Sequence, residues 1–576
     1  MSRYSVGVDF GTESARAVLV DCADGREVAT AVCAYPHGVI DERLPAPYED
    51  VQLEPEWALQ DPDDYLHALG ESVHALLTET GISPAEVIGI GIDFTSCTML
   101  PATYDGTPLC RLVELRREPH AWVKLWKHHA AQPEADLINA TAATRGEPWL
   151  ARYGGKISAE WFIAKSLQIL LEAPELYARA DRLIDAGDWI VWQLTGRETR
   201  SSCTAGYKAM WSRADGFPSD AFFAALDPRF EHVIDQKMTR NLSPVGDRAG
   251  LLSPEAAALT GLLTGTAVAV ANVDAHVSAP AARAVEAGAM VMAMGTSTCH
   301  ILLGDHAAEI AGICGVVQDG VVPGLYGFEA GQSAVGDIFA WFVENATTPA
   351  IHDEARRRGL SVNALLEEQA ASSAPGESGL LALDWWNGNR SLLVDVELRG
   401  LLVGMTLATR PAEIYRALIE ATAFGTRMII EAFEKHGVPV TTIIACGGLP
   451  ERNKLLMQIY ADVAGRRIEV ASSRQTPALG AAIFGAVAAG AAIGGYDSIL
   501  TAASRMTRPA EEIFEPLAAN HSIYTQIYGE YRRMHDLFGR SDDLMKTLKR
   551  IQHDVSGQPR AVAPAREAPD VYSSLP

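Results

Sequence analysis

Several whole classes of protein are excluded by what this chain has little of. Its eight cysteines in 576 residues (Cys22, Cys33, Cys97, Cys110, Cys203, Cys299, Cys314 and Cys446) form no C-x-x-C pair and no metal-like cluster. That rules out a disulfide scaffold or zinc module and fits small buried fillers in a reduced compartment. The 15 histidines include no H-E-x-x-H, and the neighbours His128 and His129 fall in a Trp/Lys-rich stretch expected to be helical and on the surface. Basic residues are scarce, 48 Lys+Arg against 72 Asp+Glu for a net charge of −24. A nucleic-acid or anionic-membrane surface needs a basic face, so neither partner is expected. No apolar run reaches membrane-spanning length, and MSRYSVGVDF enters a strand without a leader, so a cytoplasmic protein is expected. The P-loop pattern is missing, because Lys156 in GGKIS is followed by Ile157. No G-x-G-x-x-G follows a strand either, because GIGIDF puts Phe94 where the third glycine belongs.

What is present reads as a large α/β protein. At 48% hydrophobic and 21% charged residues the composition is globular, and the length exceeds one core, so two or more domains are expected. Short β-branched runs (SVGVDF, ARAVLVD, VIGIGIDF, AVAVAN, AMVMAMG, CHILLG, TTIIACGG) alternate with long amphipathic ones. Among the latter are DPDDYLHALGESVHALLTET, NKLLMQIYADVAG and PAEIYRALIEATAFGTRMIIEAFEKHG, the last closed by Gly437 with Pro439 beyond. A border near 281–289 divides the chain into domains 1–283 and 284–550. Past Arg550 it turns Pro/Ala/Ser-rich, as a disordered tail over 551–576 would.

The stretch VGVDFGTESARAVLVD (6–21) is either a plain β-hairpin or a phosphate grip. In the second reading Gly11 leaves room for a phosphate, the turn N–H groups and the Thr12 and Ser14 hydroxyls donate to it, and Asp9 helps to hold Mg²⁺. The design returns in AMVMAMGTSTCHILLG (289–304), with Gly295-Thr296-Ser297-Thr298 between two apolar strands. A hairpin of this kind opening each half suggests a duplicated architecture that holds a nucleotide's phosphates from both sides. In TTIIACGGLPERNKLLMQIYADVAG (441–465), Gly447 and Gly448 end a strand, where a purine or ribose could lie on bare backbone; the alternative is a tight βα turn.

Candidates for the acceptor chemistry follow. VAVANVDAHVSAP delivers Asn272, Asp274 and His276 just ahead of a helix. Asp274 is read as either an N-cap or a general base able to take a proton from an alcohol attacking a phosphoryl group, with His276 as rival base or neutral core residue. Thr95-Ser96-Cys97-Thr98 closes another strand, Lys208 stands between Tyr207 and Trp211, and Glu329 precedes Gly331-Gln332-Ser333. Such a mixture of donors, acceptors and aromatic walls suits a small polyhydroxylated ligand.

These blocks together resemble the FGGY family of carbohydrate kinases. The likeness runs from the first hairpin to about Arg550 and includes RYGGKISAEW (152–161) and RGLLVGMTLATRPAEIYRALIEATAF (399–424), which are similar to the family signatures. It implies an actin/heat-shock-ATPase-like fold, two domains with ribonuclease H-like sheets around an interdomain cleft. It also implies ATP and Mg²⁺, with phosphoryl transfer to the 5-hydroxyl of L-ribulose. Carried over by position, Asp274 matches the catalytic base; Ser96, Lys208, Asp274 and Glu329 match sugar-binding positions; Gly11, Thr12, Gly295, Thr296, Gly447, Gly448 and Asn453 fall in nucleotide-binding blocks; and Asp9 matches the metal-associated acid, reaching Mg²⁺ directly or through water. The segment Asp395–Glu397 departs from the start of the second signature. Kinases of D-ribulose, xylulose or ribitol, and an actin-like ATPase without transferase activity, remain as alternatives. The implied partners are a small sugar and ATP, with room for a homodimer.

Overall fold

The structure, a computed structural model, describes residues 2–510 and 512–556. Two seven-stranded sheets organise it. The first is built from β1 (Tyr4–Phe10), β2 (Ser14–Asp21), β3 (Glu27–Ala34), β4 (Val87–Phe94), β5 (Arg248–Leu251), β6 (Ala267–Ala269) and β7 (Asn272–Val273). Its order is β3-β2-β1-β4-β6-β5, with β7 beside β4. The second comprises β8 (Ala289–Met294), β9 (Thr298–Gly304), β10 (Gly315–Gln318), β11 (Tyr326–Gln332), β12 (Thr442–Cys446), β13 (Ile468–Val470) and β14 (Glu512–Phe514), in the order β10-β11-β9-β8-β12-β13-β14.

The two sheets repeat one pattern of orientations. From β3 to β5 the neighbouring pairs run antiparallel, antiparallel, parallel, parallel, antiparallel. From β11 to β14 the sequence is the same. The β1–β2 hairpin therefore occupies the place in its sheet that β8–β9 occupies in the other, and the duplication suggested by the two Gly-Thr turns is a property of the whole sheet.

Two helices cross between the sheets. The helix α1 (Asp274–Ala281) follows β7, and α2 (Thr476–Ala489, TPALGAAIFGAVAA) follows β13. Small residues on α2 allow backbone to lie on backbone. A Cβ on Gly7 of β1 would sit 1.8 Å from the Ala478 carbonyl oxygen, one on Gly91 of β4 1.9 Å from that of Ala481, and one on Gly480 2.1 Å from that of Val277. Such contacts tolerate only glycine, so the second half of the chain is locked onto the first sheet.

The last described helix, α3 (Leu544–Ser556), runs six residues past the expected end of the second domain. Leu544, Leu548, Ile551 and Val555 keep a helical spacing through that stretch, which explains the extension; 557–576 lie outside the described residues. The pair His128/His129 is neither helical nor, for His128, superficial. It follows the short strand Val123–Lys124, and His128 is buried against Trp57 with its ring nitrogen 2.9 Å from Gln168 Oε1. Apolar neighbours pull it inward despite the adjacent lysines. Among the described residues no helix is long and apolar enough to cross a membrane.

Candidate active site

Three adjacent strands of the first sheet end in polar residues at one level. Asp9 on β1 pairs in register with Asp93 on β4, and Asp93 with Asn272 on β7. Strand carboxyl ends are where open α/β sheets form their ligand crevices. Asp9 contacts Arg16 across the hairpin at 3.8 Å. Asp93 is fully buried, and neither of its oxygens has a hydrogen-bond donor, although its carboxyl lies within reach of that of Asp9. Burial, then the charges of Asp9 and Asp274, push its pKa well above the carboxylate range; burial also raises Asp9, against the pull of Arg16.

One turn further on, Asp274 opens α1. The cap is Val273, not Asp274, whose Oδ1 accepts from the Ala275 N–H at 2.7 Å. Its side chain is half-buried, and burial together with the Asp9 charge brings its pKa to about 7. A carboxyl poised there can accept a proton at neutral pH. His276, the rival base, is buried, packs its ring 4.1 Å from that of Tyr207, and has Nδ1 3.2 Å from Cys203 Sγ. Burial lowers its pKa, which makes it a neutral packing residue.

Lys208 and Glu329 meet across the cleft. The Lys208 ammonium donates to both Glu329 oxygens, at 2.8 and 2.9 Å, and both residues are buried. Burial opposes both charges, but each outweighs it for the other: Lys208 is held above its ordinary pKa and Glu329 far below. His276 Nε2 lies 3.3 Å from Glu329. Lys208 also sits 5.4 Å from the centroid of Trp161. Lys208 is therefore a buried, paired cation. Ser96 is half-buried in the tight turn after β4, where Cys97 takes φ 67° and its carbonyl accepts from Lys165 at 3.0 Å. Burial first, then Lys208, Lys165 and Glu160 govern the Cys97 thiol, which places this turn beside the Lys208–Glu329 pair.

The two Gly-Thr turns close alike, Gly11 N–H donating to the Ser14 carbonyl at 3.0 Å and Gly295 N–H to that of Ser297 at 2.9 Å. Those two amides are therefore committed within their hairpins. The Thr12 hydroxyl accepts from Trp126 Nε1 at 3.1 Å, while the carbonyls of Gly295 and Thr296 accept from Gly336 and Val335. Gly447 lies against the end of β8: it has φ 98°, and a Cβ on it would stand 2.5 Å from the Met294 carbonyl oxygen, whereas one on Gly448 would meet nothing within 4 Å. The Gly-Gly block and the second hairpin are thus adjacent, with Gly448 facing open space. Asn453 is buried and caps the following helix, Lys454–Ala464, its Oδ1 accepting from Leu456 N–H at 2.7 Å. That commits its carbonyl to the cap.

Comparison with known proteins bears on the family and the fold. The sequence models of the FGGY family of carbohydrate kinases match over residues 4–280 for the N-terminal domain and 290–489 for the C-terminal domain. The chain belongs to this family. A protein named ribulokinase from Geobacillus thermodenitrificans is 58% identical over 548 residues, covering 95% of this chain and 97% of that one. One of the same name from Halalkalibacterium halodurans is 57% identical over 96% and 98%. A third, from Mycolicibacterium smegmatis, is 52% identical over 95% and 96%. Among solved structures, a ligand-bound xylulose kinase from Lactobacillus acidophilus superposes with a TM-score of 0.76 at 18% identity, covering 94% of this chain and 99% of that one. A glycerol kinase from Plasmodium falciparum with ADP gives 0.73 at 15%, covering 92% and 98%. At that identity the likeness shows the fold, two α/β domains of the actin-like type in this FGGY kinase.

Sequence reasoning passed over Asp93, although the repeat of VGVDF in GIGIDF carried the signal. Asp9 and Asp93, paired in register, offer the hard oxygen ligands a divalent cation takes, and both oxygens of Asp93 lack a donor.

Proposed function

We propose that this FGGY kinase transfers the γ-phosphoryl group of ATP to the 5-hydroxyl of L-ribulose, with Asp274 as general base. The observation that carries the reading is the Asp274 carboxyl, half-buried at the start of α1 with its pKa brought to about 7. The names of the relatives more than 50% identical along nearly the whole chain support the choice of sugar.

In this reading Lys208, Glu329 and the Ser96 turn bind and orient the sugar, so that its terminal hydroxyl meets Asp274. A carboxylate at that point takes the hydroxyl proton as the oxygen attacks phosphorus, and fixed orientation removes most of the entropic barrier. Gly295, Thr296, Gly447 and Gly448 form the nucleotide side of the cleft, with Gly11 and Thr12 opposite. Asp9 and Asp93 would hold Mg²⁺, which when bound neutralises charge on the transferring phosphates. The buried walls around Lys208 keep water from replacing the sugar as acceptor. The sugar-side domain comprises 1–283 and the nucleotide-side domain 284–550.

A coupled assay of ADP release, with and without L-ribulose, tests the reading. ADP release that depends on the sugar, with kcat/KM highest for L-ribulose among D-ribulose, xylulose and ribitol, is expected. Sugar-independent hydrolysis refutes kinase action, and a higher kcat/KM for another sugar replaces L-ribulose.

A further inference from the structure

The segment that departs from the family signature lies in the loop 384–400, between the short paired strands Leu381–Leu383 and Leu401–Val403. This loop is tightly determined. Asn389 and Asp395 exchange both backbone hydrogen bonds at 2.9 Å, Asn389 Oδ1 accepts from Leu393 N–H, and Leu392 N–H donates to Gly312. Leu392 and Val394 take φ 83° and 50°, which non-glycine residues adopt only under firm constraint. α3 buttresses it from outside through Lys546–Asp395 at 2.6 Å and Lys549–Glu397 at 3.5 Å.

What the loop presents is Arg390. Its side chain lies over Gly331, where a Cβ would sit 3.0 Å from the arginine Cδ. Gly331 is two residues beyond Glu329 on β11, and alternate residues of a strand share a face, so Arg390 stands beside the Lys208–Glu329 pair. Its ion-pair partner is Glu160 of the first domain, at 3.8 Å. Glu160 is itself held by His129 Nε2 at 3.0 Å, whose Nδ1 is 3.5 Å from Glu56. At 3.8 Å the Glu160 contact is no hydrogen bond, and no acceptor among the described residues takes one from the guanidinium. A planar fork of donors is thus fixed at the cleft, oriented by a chain of charges and without an acceptor of its own. Asp274 has Asp9, Glu329 and Lys208 as charged neighbours, whereas Arg390 has Glu160 and Glu329; Glu329 is the group they share.

We propose that Arg390 is a specificity-determining residue that donates to the C2 carbonyl of the bound ketose, at the end of the sugar away from the hydroxyl that meets Asp274. This rests on the kinase reading above. Arginine offers donors alone, so it reads an acceptor, and a carbonyl presents its lone pairs in the plane of the fork. Reduction to the alditol keeps an oxygen there but makes it tetrahedral, which weakens the bond without deleting it. Discrimination of tens-fold is expected, far short of what a missing polar group produces. Glu160 and His129 are positioning residues for Arg390.

Calorimetric titration of the full-length protein with L-ribulose and with ribitol, without ATP, tests this. Arg390→Gln is expected to weaken L-ribulose at least tenfold and ribitol less than threefold, so that the two affinities converge. Arg390→Lys should restore part of the difference, and Glu160→Gln should shift it in the same direction by less. Equal losses for both ligands make Arg390 a strut of the closed cleft and overturn the proposal, as does unchanged L-ribulose affinity. A wild-type protein that binds neither sugar refutes the choice of L-ribulose instead, and wild-type melting of Arg390→Lys guards against misfolding.

Discussion

Lys208 and Glu329 form a buried pair joining residues 121 positions apart, and its two roles can be separated. Lys208→Met leaves the buried Glu329 carboxylate without its hydrogen-bonded cation, with a neutral histidine at 3.3 Å and Arg390 farther off. Leaving one half of a buried pair uncompensated costs about 3–5 kcal/mol, whereas removing both charges at similar volume is nearly neutral. Lys208→Met should therefore lower Tm by roughly 5 °C or more, and Lys208→Met/Glu329→Gln should return most of it. Sugar binding behaves differently, because the double variant has lost both charged hydrogen-bonding groups. Its sugar KM should remain up by at least about tenfold, the equivalent of one charged hydrogen bond, with the KM for ATP within about twofold. The pair's contribution should also be flat between pH 5 and pH 9. Lys208 has a raised folded pKa, so its share is complete below 10.5 and is lost only as pH rises through the folded value. Glu329 has a depressed one, so its share is complete above 4.5 and is lost as pH falls. Differential scanning fluorimetry across that range and steady-state kinetics supply both readouts. A double variant that regains sugar KM together with Tm would reduce the pair to a strut.

Asp274→Asn should cut kcat by roughly 10²–10⁴ while nucleotide binding persists. In the wild type, kcat/KM for the sugar should rise with pH and level off above about 7, since below that value the base carries its proton; the limb should vanish in the variant, and a wild-type profile flat from pH 5 to 8 would remove Asp274 from the role. Gly448→Ala is sterically free within the protein, whereas Gly447→Ala meets both φ 98° and the Met294 carbonyl. Both should raise the KM for ATP more than that for the sugar, and only Gly447→Ala should destabilise the fold, by about 1–3 kcal/mol of strain seen as a lower Tm; an unchanged KM for ATP in Gly448→Ala would move the nucleotide elsewhere.

Periodicity made the strands and long helices legible. SVGVDF, ARAVLVD and VIGIGIDF alternate or run apolar as sheet strands must, and PAEIYRALIEATAFGTRMIIEAFEK is one helix, Pro411–Lys435. The Gly-Thr repeat pointed to duplication, but the matching strand orientations came only from the pairing. Partner choice was not legible. Lys208 shows its charge in sequence, but nothing local says that Glu329 answers it. Likewise GNRS (388–391) reads as a polar loop, because the acid that orients Arg390 lies 230 residues earlier. For Asn453 and the Gly11 amide the sequence showed the ligand block but not the bond each makes within its own turn.

The two seams between the halves are built from different interactions. Around α2, Gly7, Gly91 and Gly480 bring backbone against backbone, with no side chain between that could slide or stretch. On the sugar side long charged side chains are added to backbone contacts: Lys208 pairs with Glu329, Arg390 with Glu160 and Arg213 with Asp319, beside the Gly312 N–H that donates to the Gly154 carbonyl at 3.1 Å. An ion pair can part and be hydrated within one rotamer change, while a close-packed helix on a sheet separates only by exposing apolar surface. Any opening of the cleft should therefore part the charged contacts before the glycine seam around α2, and hydrogen exchange no faster on β11 than on β1 and β4 would refute this.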